Sequence, residues 1–316
     1  MLLSALLLTT ALAAPAASDC AGLEPQPWAD LCVISSDEMK GRLVESEGNA
    51  RARAYIIDRL TEIGVQPVGD SYEQPFSFER AIDFRDENSP RETINAVNVI
   101  GVIPGRDRSR AIAVTAHYDH VGQTEEGEIF NGADDNASGV AALLAAAAHF
   151  IANPPEHDIL IMAFDAEEGG LRGAREVVAN PVEGAAPVVF NLNFDMLGYS
   201  PDNDIWAAGP YHTPALHPIV EAVAEQASIT LAAGYDQPDG DPRNDWTLLS
   251  DQGAFHAAGI PFLYLGVEDH EHYHQTTDEF ETINSEFFLG AMSVAIELAE
   301  RIDADLGSVL GEAGQP

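Results

Sequence analysis

The stretch Ala111-Ile112-Ala113-Val114-Thr115-Ala116-His117-Tyr118-Asp119-His120 decides the fold. Its first six residues form an apolar run with no turn former, which predicts a strand buried inside a sheet. The run stops in a knot of His and Asp. A Gly- and acid-rich loop follows and closes with Asn131-Gly132-Ala133-Asp134-Asp135-Asn136-Ala137-Ser138-Gly139. Residues 140–151, rich in Ala and Leu, then predict a buried helix. A strand ending in His-x-Asp and a loop ending in Asp-Asp at a helix start deliver metal-type ligands to one sheet edge. In open α/β sheets the carboxyl edge is where sites are built.

The same alternation extends outward from this unit. Apolar runs at 158–164, 187–194 and 260–266 suit strands buried on both faces of a parallel sheet. Residues 95–103 read as a strand closed by Pro104-Gly105, and 72–84 as an edge strand followed by a polar loop. Helical periodicity marks 49–63, 171–179, 214–227 and 287–302. Strands alternating with helices predict a three-layer α/β sandwich around a mixed, mainly parallel sheet. One domain, 36–304, accounts for it, with an irregular lead-in at 18–35 and a disordered tail at 305–316. Residues 232–249 have no period and hold Tyr235, Arg243 and Trp246; such a long irregular loop reads as a functional rim.

Residues 1–17 carry an apolar core running into small residues, the pattern of a signal peptide, and the run is too short for a membrane anchor. Cys20 and Cys32, the two cysteines of the chain, follow closely. In an oxidising compartment they could close one small disulfide loop, and the chain is expected in the periplasm or outside the cell. The net charge of −37, with Lys40 the single lysine, excludes nucleic acid and anionic membrane surfaces as natural partners.

Four strand ends supply His117 with Asp119, Glu167-Glu168, Asp195, and the trio His270, His272 and His274, with Asp134-Asp135 at a helix start among them. Singly, each has an ordinary explanation as a cap, turn or solvated residue. In a parallel sheet, however, all these ends point the same way. Only 15 Lys and Arg stand against 52 acids, so a converging His/carboxylate cluster is best held together by a divalent metal. Imidazole with carboxylate suits Zn²⁺, with Mn²⁺ or Co²⁺ as substitutes. Spacing alone leaves open Asp134 against Asp135, and which of the three histidines takes part.

The motifs at 117–120, 132–139, Ala166-Glu167-Glu168-Gly169-Gly170-Leu171-Arg172-Gly173, Asn193-Phe194-Asp195-Met196 and Tyr273-His274-Gln275-Thr276-Thr277-Asp278 resemble, in order, those of the co-catalytic zinc aminopeptidases of the M28 family. The resemblance extends to 36–42, to the helix after it, and to Ser250-Asp251. It implies two Zn²⁺ per chain. Asp135 would bridge them, His117 and Asp195 would hold one, and Glu168 and His274 the other. It makes Glu167 the general base of a metal-bridged hydroxide attacking the N-terminal peptide bond of peptides. Asp119 would orient His117 from behind, and the peptide after Asp135 is often cis in relatives. Gln252 stands where many relatives have His. Tyr235, Arg243 and Asp251 are candidate substrate contacts. Alternatives on the same scaffold are glutaminyl cyclisation, hydrolysis of another acyl group, or a non-catalytic binding ectodomain. The complete ligand set weighs against the last.

Overall fold

The computed structural model describes residues 19–82, 89–238 and 240–312. Among them nine strands form one sheet: β1 (Gln66–Pro67), β2 (Glu73–Ala81), β3 (Arg91–Ile103), β4 (Asp107–His117), β5 (His157–Phe164), β6 (Val188–Phe194), β7 (Asp204–Ala208), β8 (Thr230–Ala233) and β9 (Phe262–Gly266). The spatial order is β1-β3-β5-β4-β6-β9-β7-β8, and β2 also pairs with β3. The centre, β5-β4-β6-β9, is parallel throughout. Antiparallel partners flank it, with β3 on β5 at one side and β7 on β9 at the other. The sheet is therefore mixed with a parallel heart, as the apolar runs predict.

Period-two alternation sends side chains to two separate cores. On one face Ile112, Val114, Ala116, Ile159, Ile161, Phe190 and Leu192 pack against helices α2 (Glu47–Ile63), α3 (Gly139–Ala152) and α7 (Ser285–Ala304). On the other, Ala111, Ala113, Leu160, Met162 and Phe164 meet α4 (Arg172–Ala179) and α6 (Gln252–Ala257). α5 (His217–Ala224) extends the first layer. The segment Ala133–Ala152 is the one described helix with the length and apolarity to cross a membrane. It is 72% buried, as the core helix of this layer.

Three expectations are corrected. The lead-in at 18–35 is not irregular, because α1 (Gln26–Ile34) runs through it and buries Leu31 and Ile34. The tail at 305–316 does not begin in disorder: α8 (Leu306–Val309) buries Leu306 and Val309 against the first core. The 232–249 rim is partly ordered, beginning in β8 and containing two short helical turns. Cys20 and Cys32 are joined in a disulfide. Closing a loop of that size stabilises a fold by about 3 kcal/mol in the chain-entropy account. The expected signal peptide, 1–17, and most of the polar loop after β2 lie outside the described residues.

Candidate metal centre

The four parallel strands deliver His117 from β4, Glu167 and Glu168 after β5, Asp195 after β6, and the 268–274 loop after β9 to one edge. An irregular turn, Ala133–Ser138, brings Asp135 among them before α3 starts. Its Asp135–Asn136 peptide is cis. Gly132 opens the turn at φ 55°, where a Cβ would lie 2.1 Å from the Asp135 carbonyl and 2.6 Å from the His120 ring. The Asn136 side chain sets the distance to β6. It donates to the Phe194 carbonyl at 2.9 Å and accepts from the Met196 N–H at 3.2 Å. The Asp278 carboxylate accepts from the Asp134 and Asp135 N–H groups at 2.9 and 3.0 Å.

Two groups of donors result. His117, Asp135 and Asp195 form one; His120, Asp135, Glu168 and His274 form the other. Asp135 belongs to both. In the first, His117 Nε2 lies 3.3 Å from both Asp135 Oδ1 and Asp195 Oδ1. In the second, His274 Nε2 is 3.1 Å from Asp135 Oδ2 and 3.2 Å from Glu168 Oε1. A tetrahedral zinc with bonds of about 2.0–2.1 Å has donor–donor edges of about 3.3 Å. Both groups fit.

The neighbouring acids and histidines are used elsewhere. Asp134 accepts from Ser138 Oγ at 3.0 Å and the Gly198 N–H at 2.6 Å, and its other oxygen meets His270 Nε2 at 2.9 Å. His272 pairs with Thr277 at 2.9 Å. Asp119 also departs from its expected part. It is the backbone carbonyl of Asp119 that lies 3.1 Å from His117 Nδ1, whereas its carboxylate oxygen is 3.8 Å from that nitrogen. The carboxylate instead accepts from the Glu167 and Glu168 N–H groups at 2.9 and 3.3 Å, pinning the turn that carries both glutamates.

Charge makes the same demand as geometry. Among the described residues Arg42 is the one buried Lys or Arg, and its guanidinium is spent on carbonyls of Tyr118, Ile34, Asn131 and Gly132 at 2.5–3.0 Å. Burial raises Glu167 well above the usual carboxylate range, with Asp251, Asp195 and Glu168 adding against His117. Burial would raise Asp135 too, but the imidazoles of His120, His117 and His274 hold it well below. Hydrogen bonds to Asp135 and Glu168 push His274 up to about 10. Carboxylates and imidazoles this close are costly without a shared cation, and a divalent ion resolves both excesses.

A cavity of about 200 Å³ opens over the first group, lined by Asp135, Glu167, Asp195, Trp246, Leu249 and Tyr273 among others. Glu167 stands on its wall and belongs to neither donor group. Trp246, which sequence reading placed only in the rim, stacks on Tyr235 with centroids 4.0 Å apart and planes at 8°. Tyr235 itself faces an adjoining cavity, and its hydroxyl donates to Glu268. Asp251 is fully buried, with neither carboxylate oxygen hydrogen-bonded, and is not among the residues lining the cavity. Gln252 accepts from Asn193 Nδ2 at 3.0 Å and donates to the Trp246 carbonyl at 2.6 Å. Arg243 is 86% exposed and paired with Asp241 at 2.6 Å. Arg243→Ala is expected to change stability by less than about 0.5 kcal/mol and to leave unchanged the ratio of turnover of dipeptides to that of the same substrates blocked at the carboxylate. A shift in that ratio would restore a substrate role for it.

Fold and donor set define a class, the α/β proteins with a metal centre at the carboxyl edge of the sheet. The chain belongs to peptidase family M28, whose model matches residues 98–299. A vacuolar membrane protease of Eremothecium gossypii is 25% identical over 173 residues, 52% of this chain; the match spans 16% of that protein's length. The zinc aminopeptidase BSAP of Bacillus subtilis superposes with TM-score 0.70 at 16% identity, over 91% of this chain and 96% of that one. A glutaminyl cyclase of Bacteroides thetaiotaomicron gives 0.65 at 18%, over 86% and 95%. At these identities the two structures share the fold.

Proposed function

We propose that the chain is a zinc aminopeptidase that hydrolyses the N-terminal peptide bond of peptides. Two Zn²⁺ would be held by His117, Asp135, Asp195, Glu168 and His274. Bound there, the ions supply carbonyl polarisation and a water acidic enough to attack near neutral pH. The observation that carries the reading is the pairing of two donor groups through Asp135 with a free carboxylate, Glu167, on the cavity wall beside them. Glu167 then takes a proton at its carboxylate and returns it to the departing amine. Asp119 keeps the carboxylate in place by holding the backbone of the turn. Trp246, Leu249 and Tyr273 exclude water around the first residue of the peptide. A cavity smaller than the usual range of about 300–1,000 Å³ suits one terminal residue better than an extended chain. The Cys20–Cys32 disulfide supports a periplasmic or secreted location. Glutaminyl cyclisation, the activity named for the Bacteroides neighbour, is the second reading, and the two complete donor groups favour it less.

Metal content and turnover of free aminoacyl, dipeptide and N-blocked substrates test the proposal together. Two zinc ions per chain and hydrolysis confined to free N-termini are expected. Cyclisation of N-terminal Gln without peptide hydrolysis would overturn it.

A further inference from the structure

His120 was not among the residues the family pattern assigns, yet it faces the centre. Its ring is fully buried. Nδ1 lies 2.9 Å from Glu168 Oε1 and 3.5 Å from Asp135 Oδ2, while Nε2 is buried without a partner. The ring is held there by contact with Gly132, where no side chain would fit. From the same two oxygens, Glu168 Oε1 and Asp135 Oδ2, His120 Nδ1 lies at 2.9 and 3.5 Å and His274 Nε2 at 3.2 and 3.1 Å, values on either side of the edge of about 3.3 Å of a zinc tetrahedron.

We propose that His120 is a metal ligand through Nδ1 and that it makes the two halves of the centre unequal. The half built from His120, Asp135, Glu168 and His274 has four protein donors, two of them imidazoles. That is the closed complement of a structural zinc site, whereas three donors and an open position mark a catalytic one. The His117, Asp135 and Asp195 half has three. The cavity takes the shared Asp135 and Asp195 of the three-donor half into its lining, while His117, His120, Glu168 and His274 lie outside it. The three-donor half keeps a position for a ligand other than protein, whereas the four-donor half is filled by side chains, with His274 as its most exposed member. The inference rests on the two-ion reading above but goes beyond it, because that reading needs only five ligands and makes no distinction between the ions.

The test uses the zinc-loaded full chain. Long-range ¹H–¹⁵N correlation of the histidine side chains reports which ring nitrogen of each imidazole binds metal. Three coordinated rings are expected, His117 and His274 through Nε2 and His120 through Nδ1. In a graded EDTA titration the first zinc should leave at a chelator concentration at least about tenfold below that needed for the second, since even a group that only supports a ligand is worth about 10–100-fold in affinity. In His120→Asn that gap should close, with circular dichroism checking the fold. Two coordinated rings, with His120 protonated or free, would overturn the inference while leaving the two-ion reading intact. Equal release of both ions from wild type would do the same. Failure of the chain to bind zinc would overturn both.

Discussion

Replacing Glu167 with Gln should lower peptide turnover by about a thousandfold, within the 10²–10⁴ range of positioned acid–base catalysis, while bound metal is retained. The amide fills the same space and cannot take a proton. Because Glu167 belongs to neither donor group, metal content by elemental analysis should remain at the wild-type value, and KM should change little beside kcat. About 4 kcal/mol of transition-state stabilisation is at stake. Loss of metal in Glu167→Gln would make the residue a ligand. Retention of full activity would move the proton transfer to another group.

The largest effect on stability is expected at Arg42. Its guanidinium has no exposed surface. It donates to the carbonyls of Tyr118 at 2.8 Å, Ile34 at 3.0 Å, Asn131 at 2.5 Å, Gly132 at 2.9 Å and Asp135 at 3.4 Å. Burial lowers its pKa to about 10 against the pull of Asp135, Asp278, Asp119 and Glu168, so it remains charged at neutral pH. These contacts bind the end of α1, the segment after β4 and the turn holding Asp135 into one body. Arg42→Met removes the donors from the segments that carry His117, His120 and Asp135. It should cost about 3–5 kcal/mol, since several buried carbonyls lose a charged donor and each one left unsatisfied costs about 1–3 kcal/mol. Urea unfolding monitored by circular dichroism measures it. Arg42→Lys should recover only part of the loss, because one ammonium cannot span carbonyls on three segments. A loss below about 1 kcal/mol, the scale of a single ordinary hydrogen bond, would show that the segments hold their places without it.

The parallel heart of the fold was legible because β4, β5 and β9 are buried along most of their length and the sequence shows that as unbroken apolar runs. β7 and β8 were missed: they are four or five residues long and partly exposed, so too few residues carry the period. α1 was hidden by Pro25 and Pro27. The first of these precedes the helix and the second lies in its first turn, where proline is tolerated. In the site, ordinary reasoning located the edge but not the division of labour. Asp134 and Asp135 differ only in which way a single irregular turn faces them, and that depends on Asn136 and Asp278, far apart in sequence. His120 did leave a signal. It follows His117 by three residues just past a strand end, and it is a second imidazole in a chain poor in cations. Arg42 left a fainter one, as an Arg beside Gly41 at a segment with no helical or strand period of its own.

The Gln252 side chain fastens the backbone at Trp246 to Asn193 of the central sheet, whereas the indole ring is steadied separately by Tyr235. Anchorage and shape are thus assigned to different atoms of one residue. The side chain at position 246 can be exchanged to reshape the cavity, while the main chain around it keeps its hold on the scaffold. This part of the cavity wall is in this sense a replaceable panel bolted to a fixed frame.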